Sequence, residues 1–143
     1  MTGVALVDLT AETAGLLDRC APEVFEADIL PDSLAAFLDD PRHLMVLAVA
    51  EGVVIGKASG TELFHPDKPP QLFINEVDVT PDWQRRGVGR ALVAEIVRRA
   101  RARGCSYAWL GTAVENAGGN ACFGRVPGVE RAEDFVLYEW ALG

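Results

Sequence analysis

The order of apolar runs in the sequence predicts an α/β chain in the α+β sense, a mixed and mostly antiparallel central sheet flanked by helices. Three observations carry this. Five runs have the length and apolar character of strands, one long segment between them repeats at the helical period, and 50% apolar with 24% charged residues in 143 is enough to bury a core.

Taken in order, residues 4–9 read as a short strand, 11–19 as a helix, and 33–38 as a second short helix with Asp32 or Ser33 as its cap. "HLMVLAVA" is a continuous apolar run suited to a buried strand. Glu51-Gly52 is a hairpin turn, and "VVIGKASGTELF" returns beside it. "HPDKPP", residues 65–70, is the longest loop signal, followed by a third strand, "LFINEVDV". "SYAWLGT" (106–112) and "FVLYEWAL" (135–142) are the last two expected strands. Between the third and fourth, Val88, Leu92, Val93, Ile96, Val97 and Ala100 recur at three and four residues, so one stripe of a helix faces the sheet, and Gly104 ends it. No repeat or linker divides the chain, so residues 1–143 are expected to form a single domain.

Composition excludes several function classes. No run of ~20 apolar residues exists to cross a membrane, and the first residues lack a basic start and an apolar signal core, which gives a cytoplasmic expectation. Cys20, Cys105 and Cys122 are too far apart for a disulfide framework, and neither they nor the isolated His43 and His65 show metal-ligand spacing, so no metal is expected. Net charge is −8, which with few interleaved aromatics argues against nucleic acid. Yet seven of the thirteen basic residues fall between Arg85 and Arg103. Arg98, Arg99, Arg101 and Arg103 sit where a helix C-terminus favours cations, with Glu95 one turn away, and need no ligand.

Arg85, Arg86 and Arg90 need another reason, because they crowd the start of the same helix, where cations oppose its dipole. The first turn of a helix leaves about four N–H groups unpaired, and Gly87 and Gly89 let a ligand approach them. A phosphate fits that combination. No Lys-Ser or Lys-Thr follows, as a Walker loop requires. Leu92 also stands where a dinucleotide fingerprint needs its third glycine. What is present is Gln84-Arg85-Arg86-Gly87-Val88-Gly89, or [QR]xxGx[GA], behind an apolar strand and "TPDW".

This resembles motif A of the GCN5-related N-acetyltransferases, the GNAT superfamily, and the order of elements around it is similar over most of the chain. The stretches "VFEADILPDSLAAFLDDPRHLMVLAVA" and "HPDKPPQLFINEVDV" look like small bacterial relatives of the type I aminoglycoside 3-N-acetyltransferases. The resemblance implies a GNAT fold, acetyl-CoA bound by Gln84, Arg85, Arg86, Gly87, Val88, Gly89 and Arg90, a homodimer, and an acetyl group passed directly to an amine. It implies a carboxylate at Glu76 as general base, often acting through water. Asp78 competes, since plain alternation puts Ile74, Glu76 and Asp78 on one face. The family breaks that alternation with a bulge whose amides, here those of Val77 and Val79, meet the cofactor.

The following family motif is only partly kept. Thr112 and Asn116 match it, and Asn116 is expected at the coenzyme or as a helix cap. Ala113 replaces an acid, and Phe123, placed at the coenzyme, replaces the tyrosine that would protonate the departing thiol. The acidic first third of the chain, with Glu23, Glu26 and Asp28, suits a small cationic amine or plain solvation. Two other readings stay open, a coenzyme A-binding module with weak or no catalysis and an acetyltransferase of protein lysines or N-termini.

Overall fold

The computed structural model describes residues 2–143. Its centre is one five-stranded sheet in sequence order, β1 (Ala5–Asp8), β2 (His43–Ala50), β3 (Val53–His65), β4 (Lys68–Val79) and β5 (Tyr107–Trp109). The first four strands pair antiparallel, and β5 pairs parallel to β4. Three α-helices accompany the sheet, α1 (Pro31–Asp39), α2 (Val88–Ala102) and α3 (Ala117–Phe123).

The predicted sheet is present, with local differences, among them a fourth expected strand cut from residues 106–112 to Tyr107–Trp109. Residues 11–19 form only a 3-10 helix, Ala14–Asp18, because the Thr13 hydroxyl bonds the Asp8 carbonyl and accepts the Thr10 N–H, which ties the segment to β1. α1 begins at Pro31 with Leu30 as its N-cap, so neither Asp32 nor Ser33 caps it; the fixed φ of proline suits the first helical position. The "HPDKPP" loop is instead a tight hairpin, with His65 paired to Lys68 and a register shift beside it accommodating the prolines. Finally, residues 135–142 form no strand.

Each face of the sheet has its own core. On one side α2 brings Val88, Leu92, Val93, Ile96 and Ala100 onto Leu44, Val46, Ala48, Ile55, Ala58, Leu72 and Ile74, the helical stripe meeting the strand alternation. On the other, Leu9, Leu17 and Val24 cover Met45, Leu47 and Val54, with Leu34 and Phe37 of α1 packed around them. Gly56 and Gly60 on β3 admit this close packing. A Cβ on Gly56 would lie 3.0 Å from the Asp78 carbonyl and 3.2 Å from Leu92 Cδ1.

Leu92 is fully buried at the centre of the α2 face. Leu92→Ala should cost about 3 kcal/mol of stability, read as a lower urea midpoint at unchanged slope.

Candidate active site

The site is built where β4 and β5 part. β5 pairs only with Gln71–Phe73, so from Ile74 to Val79 the side of β4 that faces away from β3 has no strand beside it. In this same stretch β4 carries a bulge: Ser59 pairs with Glu76 and Gly60 with Ile74, leaving Asn75 as the extra residue. The inserted residue resets the alternation. Leu72 and Ile74 face α2 before it, and Val77 and Val79 face α2 after it. Glu76 and Asp78 are thereby turned together to the opposite face, whereas plain alternation would have sent both into the core with Ile74.

The bulge is followed by a directional consequence for the backbone. Thr80 N–H donates to Ile55 of β3, 2.8 Å away, so the Val79 carbonyl in the same peptide plane points away from β3. It accepts from Gln84 Nε2 at 2.9 Å. Because N–H and C=O of one strand residue point the same way and every second residue repeats the direction, Val77 and Val79 both aim their amides at the open side.

On the carboxylate face lies a residue that the sequence reading passed over. Lys57 of β3 is 1% exposed, its Nζ 2.7 Å from Asp78 Oδ2, 3.7 Å from Glu76 Oε2 and 2.6 Å from the Val24 carbonyl, which accepts from it. The ammonium also stands 4.6 Å from the centre of the Phe25 ring. The two carboxylates are about equally exposed, 45% and 42%, and are unequal in one respect: Asp78 is hydrogen-bonded to the lysine, and Glu76 is outside hydrogen-bond distance. The available signal was a lone charge inside the apolar run "VVIGKASG". Through Val24 and Phe25 the same lysine fixes the loop that carries Glu23, Glu26 and Asp28.

At the other end of the opening, α2 begins. Arg85 (φ 63°) and Gly87 (φ 83°) are both left-handed, a costly conformation for arginine. The consequence is a turn whose amides point outward. Among the described residues, no backbone N–H from Arg85 to Arg90 donates to a chain acceptor; the first helical bond is Ala91 N–H to the Gly87 carbonyl at 3.0 Å. Arg85, Arg86 and Arg90 are exposed around the turn, Arg86 stacked on Trp83 at 4.9 Å. The Val88 side chain is buried, so that only its main chain faces the opening, and the Gln84 side chain is a brace to β4. Gly89 also has a packing role, since a Cβ there would sit 2.9 Å from Cys122 Sγ of α3. Burial raises the Cys122 pKa, with Arg90 opposing, so it remains a thiol at neutral pH.

The helix after β5 is short, as its glycines require. Asn116 is its N-cap, Oδ1 accepting from Gly119 N–H at 3.1 Å while Nδ2 donates to Thr112 Oγ1 at 2.9 Å. Phe123 packs against the α2-side core. The four distal arginines are structural where their partners are seen: Arg98 and Arg99 bond Glu95, Arg99 also pairs with Asp8, and Arg103 reaches Glu62 at 2.8 Å. Among the described residues no three His, Cys, Asp or Glu side chains are grouped to hold a metal, and no helix is long and apolar enough to cross a membrane.

The inequality of the carboxylates is measurable in stability. Asp78→Asn strips the buried lysine of its hydrogen-bonded counter-charge and should cost about 2 kcal/mol in urea unfolding, whereas Glu76→Gln should stay within about 0.5 kcal/mol of the parent.

Comparison with known proteins gives this arrangement a family. No curated protein sequence matches the chain. Solved structures do match in fold. An aminoglycoside acetyltransferase, meta-AAC0020 from an uncultured soil metagenomic sample, in complex with sisomicin, has a TM-score of 0.83 at 17% identity, covering 99% of this chain and 97% of that one. AAC(6')-Iy in complex with the bisubstrate analogue CoA-S-monomethyl-acetylneamine has 0.75 at 20% identity, over 96% and 98%. A transcriptional regulator from Bacillus halodurans C-125 has 0.74 at 17%, over 96% and 99%. The profile of the family described as "Acetyltransferase (GNAT) family" matches residues 10–126, the span that holds the bulged strand, the carboxylates and the glycine turn. With the greater part of the sequence and the whole of this site inside that match, the chain belongs to the acetyltransferase (GNAT) family.

Proposed function

We propose that the protein transfers an acetyl group from acetyl-CoA to a primary amine of a small cationic substrate, with both reactants bound together. The observation that carries this is the run of unpartnered amides from Arg85 to Arg90 beside the open edge of β4, with Glu76 on the same strand. A diphosphate suits the turn because it accepts several hydrogen bonds at once and neutralises three cations that otherwise oppose the helix dipole. Gly87, Gly89 and the main chain of Val88 offer the close approach; Arg85, Arg86 and Arg90 add charge; Gln84 holds the turn to β4. The Val77 and Val79 amides, turned to the open side of β4, take the thioester carbonyl and the pantetheine arm, and Asn116 and Phe123 are assigned to the coenzyme on the family resemblance, α3 standing against the turn through Cys122 at Gly89.

The bound cosubstrate supplies an activated acyl thioester. A nitrogen–carbon bond forms and the carbon–sulfur bond breaks; the amine loses a proton and the sulfur gains one. An alkyl amine of pKa ~10 is about three units from free base at pH 7, roughly 4 kcal/mol, so removing its proton is the larger demand. Glu76 takes it, directly or through water, because Asp78 is engaged by Lys57. Protonating a thiolate of pKa ~8.5 is favourable by roughly 2 kcal/mol at pH 7, so solvent meets that demand in the absence of a tyrosine at position 123.

A cationic acceptor is favoured by the acidic loop that Lys57 pins beside the carboxylates, with Glu26 and Asp28 also lining a cleft of about 220 Å³ against α1. The two aminoglycoside acetyltransferases of similar fold, one bound to sisomicin and one to an acetylneamine analogue, are in keeping with this class. Phe123 and Ala113 favour a second reading, a coenzyme-binding module that turns over slowly or not at all.

Calorimetry with coenzyme A tests the cradle, and thiol release with polyamines, aminoglycosides and peptides tests turnover. Heat on binding with release from cationic amines is the expected result. Binding without release across the panel selects the module, and no binding removes both readings. Glu76→Gln should lower kcat/KM about 100-fold with coenzyme affinity unchanged. Its residual rate should climb with pH up to the acceptor's own pKa, because solvent then supplies the free base that the carboxylate no longer generates; a flat profile would assign the base elsewhere.

A further inference from the structure

The cleft against α1 has an apolar lining and a charged mouth. Leu9, Leu17 and Met45 are the buried part of its lining, Leu34 and Phe37 of α1 and Phe25 of the preceding loop are half-buried around it, and the space enclosed is about 220 Å³. Its polar side chains are Glu26, Asp28 and Ser33, all exposed, and no described residue lining it carries a positive charge. α1 has no fully buried residue, so Leu34 and Phe37 pack only partly on the sheet face beneath them. Leu30, its N-cap, is 65% exposed. Protein interiors leave few voids larger than a water molecule, so an apolar hollow of this size is a place for an apolar guest.

The hollow and the base share one face and one rung of the sheet. Met45 on β2 pairs with Ser59 on β3, and Ser59 pairs with Glu76 on β4, so cleft lining and carboxylate lie two strand spacings apart, roughly 10 Å. Lys57 joins the two. Its Nζ is 4.6 Å from the centre of the Phe25 ring and 3.7 Å from Glu76 Oε2, so Phe25 borders the hollow on one side and the lysine beside the base on the other.

We infer that the acceptor in the transfer proposed above, on which this assignment rests, is an arylalkylamine: one aromatic ring seated in the cleft, its nitrogen carried past Phe25 to Glu76 on a short methylene arm. A cavity of about 150 Å³ suffices for benzene, so this one takes a ring and part of an arm, and not a chain of sugar rings. Sugar hydroxyls would also lose water there and find few partners. Glu26 and Asp28 at the mouth attract the ammonium as it enters. The nitrogen then bonds the acetyl carbon as the carbon–sulfur bond breaks, the amine proton passing to Glu76 and the thiolate taking one from solvent. The product is a neutral amide, which those two acids no longer hold.

Phenethylamine and ethanolamine share an arm and differ in phenyl against hydroxyl, so thiol release from acetyl-CoA with each isolates the ring. The full chain should favour phenethylamine in kcat/KM by ~30-fold or more, with a polyamine and an aminoglycoside also below it. Ala27 is exposed on the cleft lining, and Ala27→Trp, which fills the hollow from its mouth, should raise KM for phenethylamine ~10-fold or more at unchanged coenzyme affinity. Should that variant fail to fold, the comparison of amines on the parent still decides. Ligand-observed NMR with phenethylamine separates the cleft from the chemistry. Binding that Ala27→Trp abolishes, with no thiol release from any amine, supports the ligand class and overturns the transfer reaction. Release from ethanolamine or the aminoglycoside that equals or exceeds release from phenethylamine keeps the reaction and overturns the arylalkylamine, as does a failure of phenethylamine to bind.

Discussion

One extra residue in β4 decides what this molecule offers to a ligand. Asn75 interrupts the pairing of β4 with β3, and every side chain after it changes face. Without it Glu76 and Asp78 would be driven among Leu92, Ile96 and Ile74, where two unpaired carboxylates are untenable, and Val77 and Val79 would be turned to solvent. With it the valines complete the α2-side core and the acids emerge together. The same stretch is where β5 stops, so that side-chain reorientation and backbone availability coincide.

The acids emerge against a buried cation. Lys57 could not be held at 1% exposure in an apolar sheet without partners, and it has four in reach: the Asp78 carboxylate in hydrogen-bond contact, that of Glu76 farther off, a carbonyl and an aromatic face. Its presence divides labour between two residues of like chemistry. Asp78 is hydrogen-bonded to the lysine, and Glu76, as open to solvent as its neighbour, is left without that bond. The lysine also links the strand to the acidic loop, so charge that looked like ordinary surface solvation is placed by a contact from inside the sheet.

The helix start shows the same convergence of packing and opening. Gly87 permits the left-handed turn and Gly89 permits α3 to approach, with Cys122 against it, so one short glycine pattern answers two constraints. Arg85 accepts a strained backbone in the same turn. The tertiary contacts of Gln84 with Val79 and of Arg86 with Trp83 hold the turn beside β4, at the place where that strand has lost its neighbour.

Much of this was legible in the sequence because it depends on local periodicity. The stripe from Val88 to Ala100 specifies a helix and its buried face, the apolar runs specify strands, and the glycines between arginines mark a turn with spare amides. Asn116 as a cap is equally local. What the sequence could not decide were matters of pairing between distant segments. Alternation alone could not tell Glu76 from Asp78, because the distinction requires Lys57, nineteen residues before Glu76 in the chain, to come to rest 2.7 Å from one and 3.7 Å from the other. Nor could it foresee that residues 135–142, with every residue preference of a strand, would stand apart from the sheet: a strand is defined by its neighbour, and the register of a neighbour is a property of the folded whole.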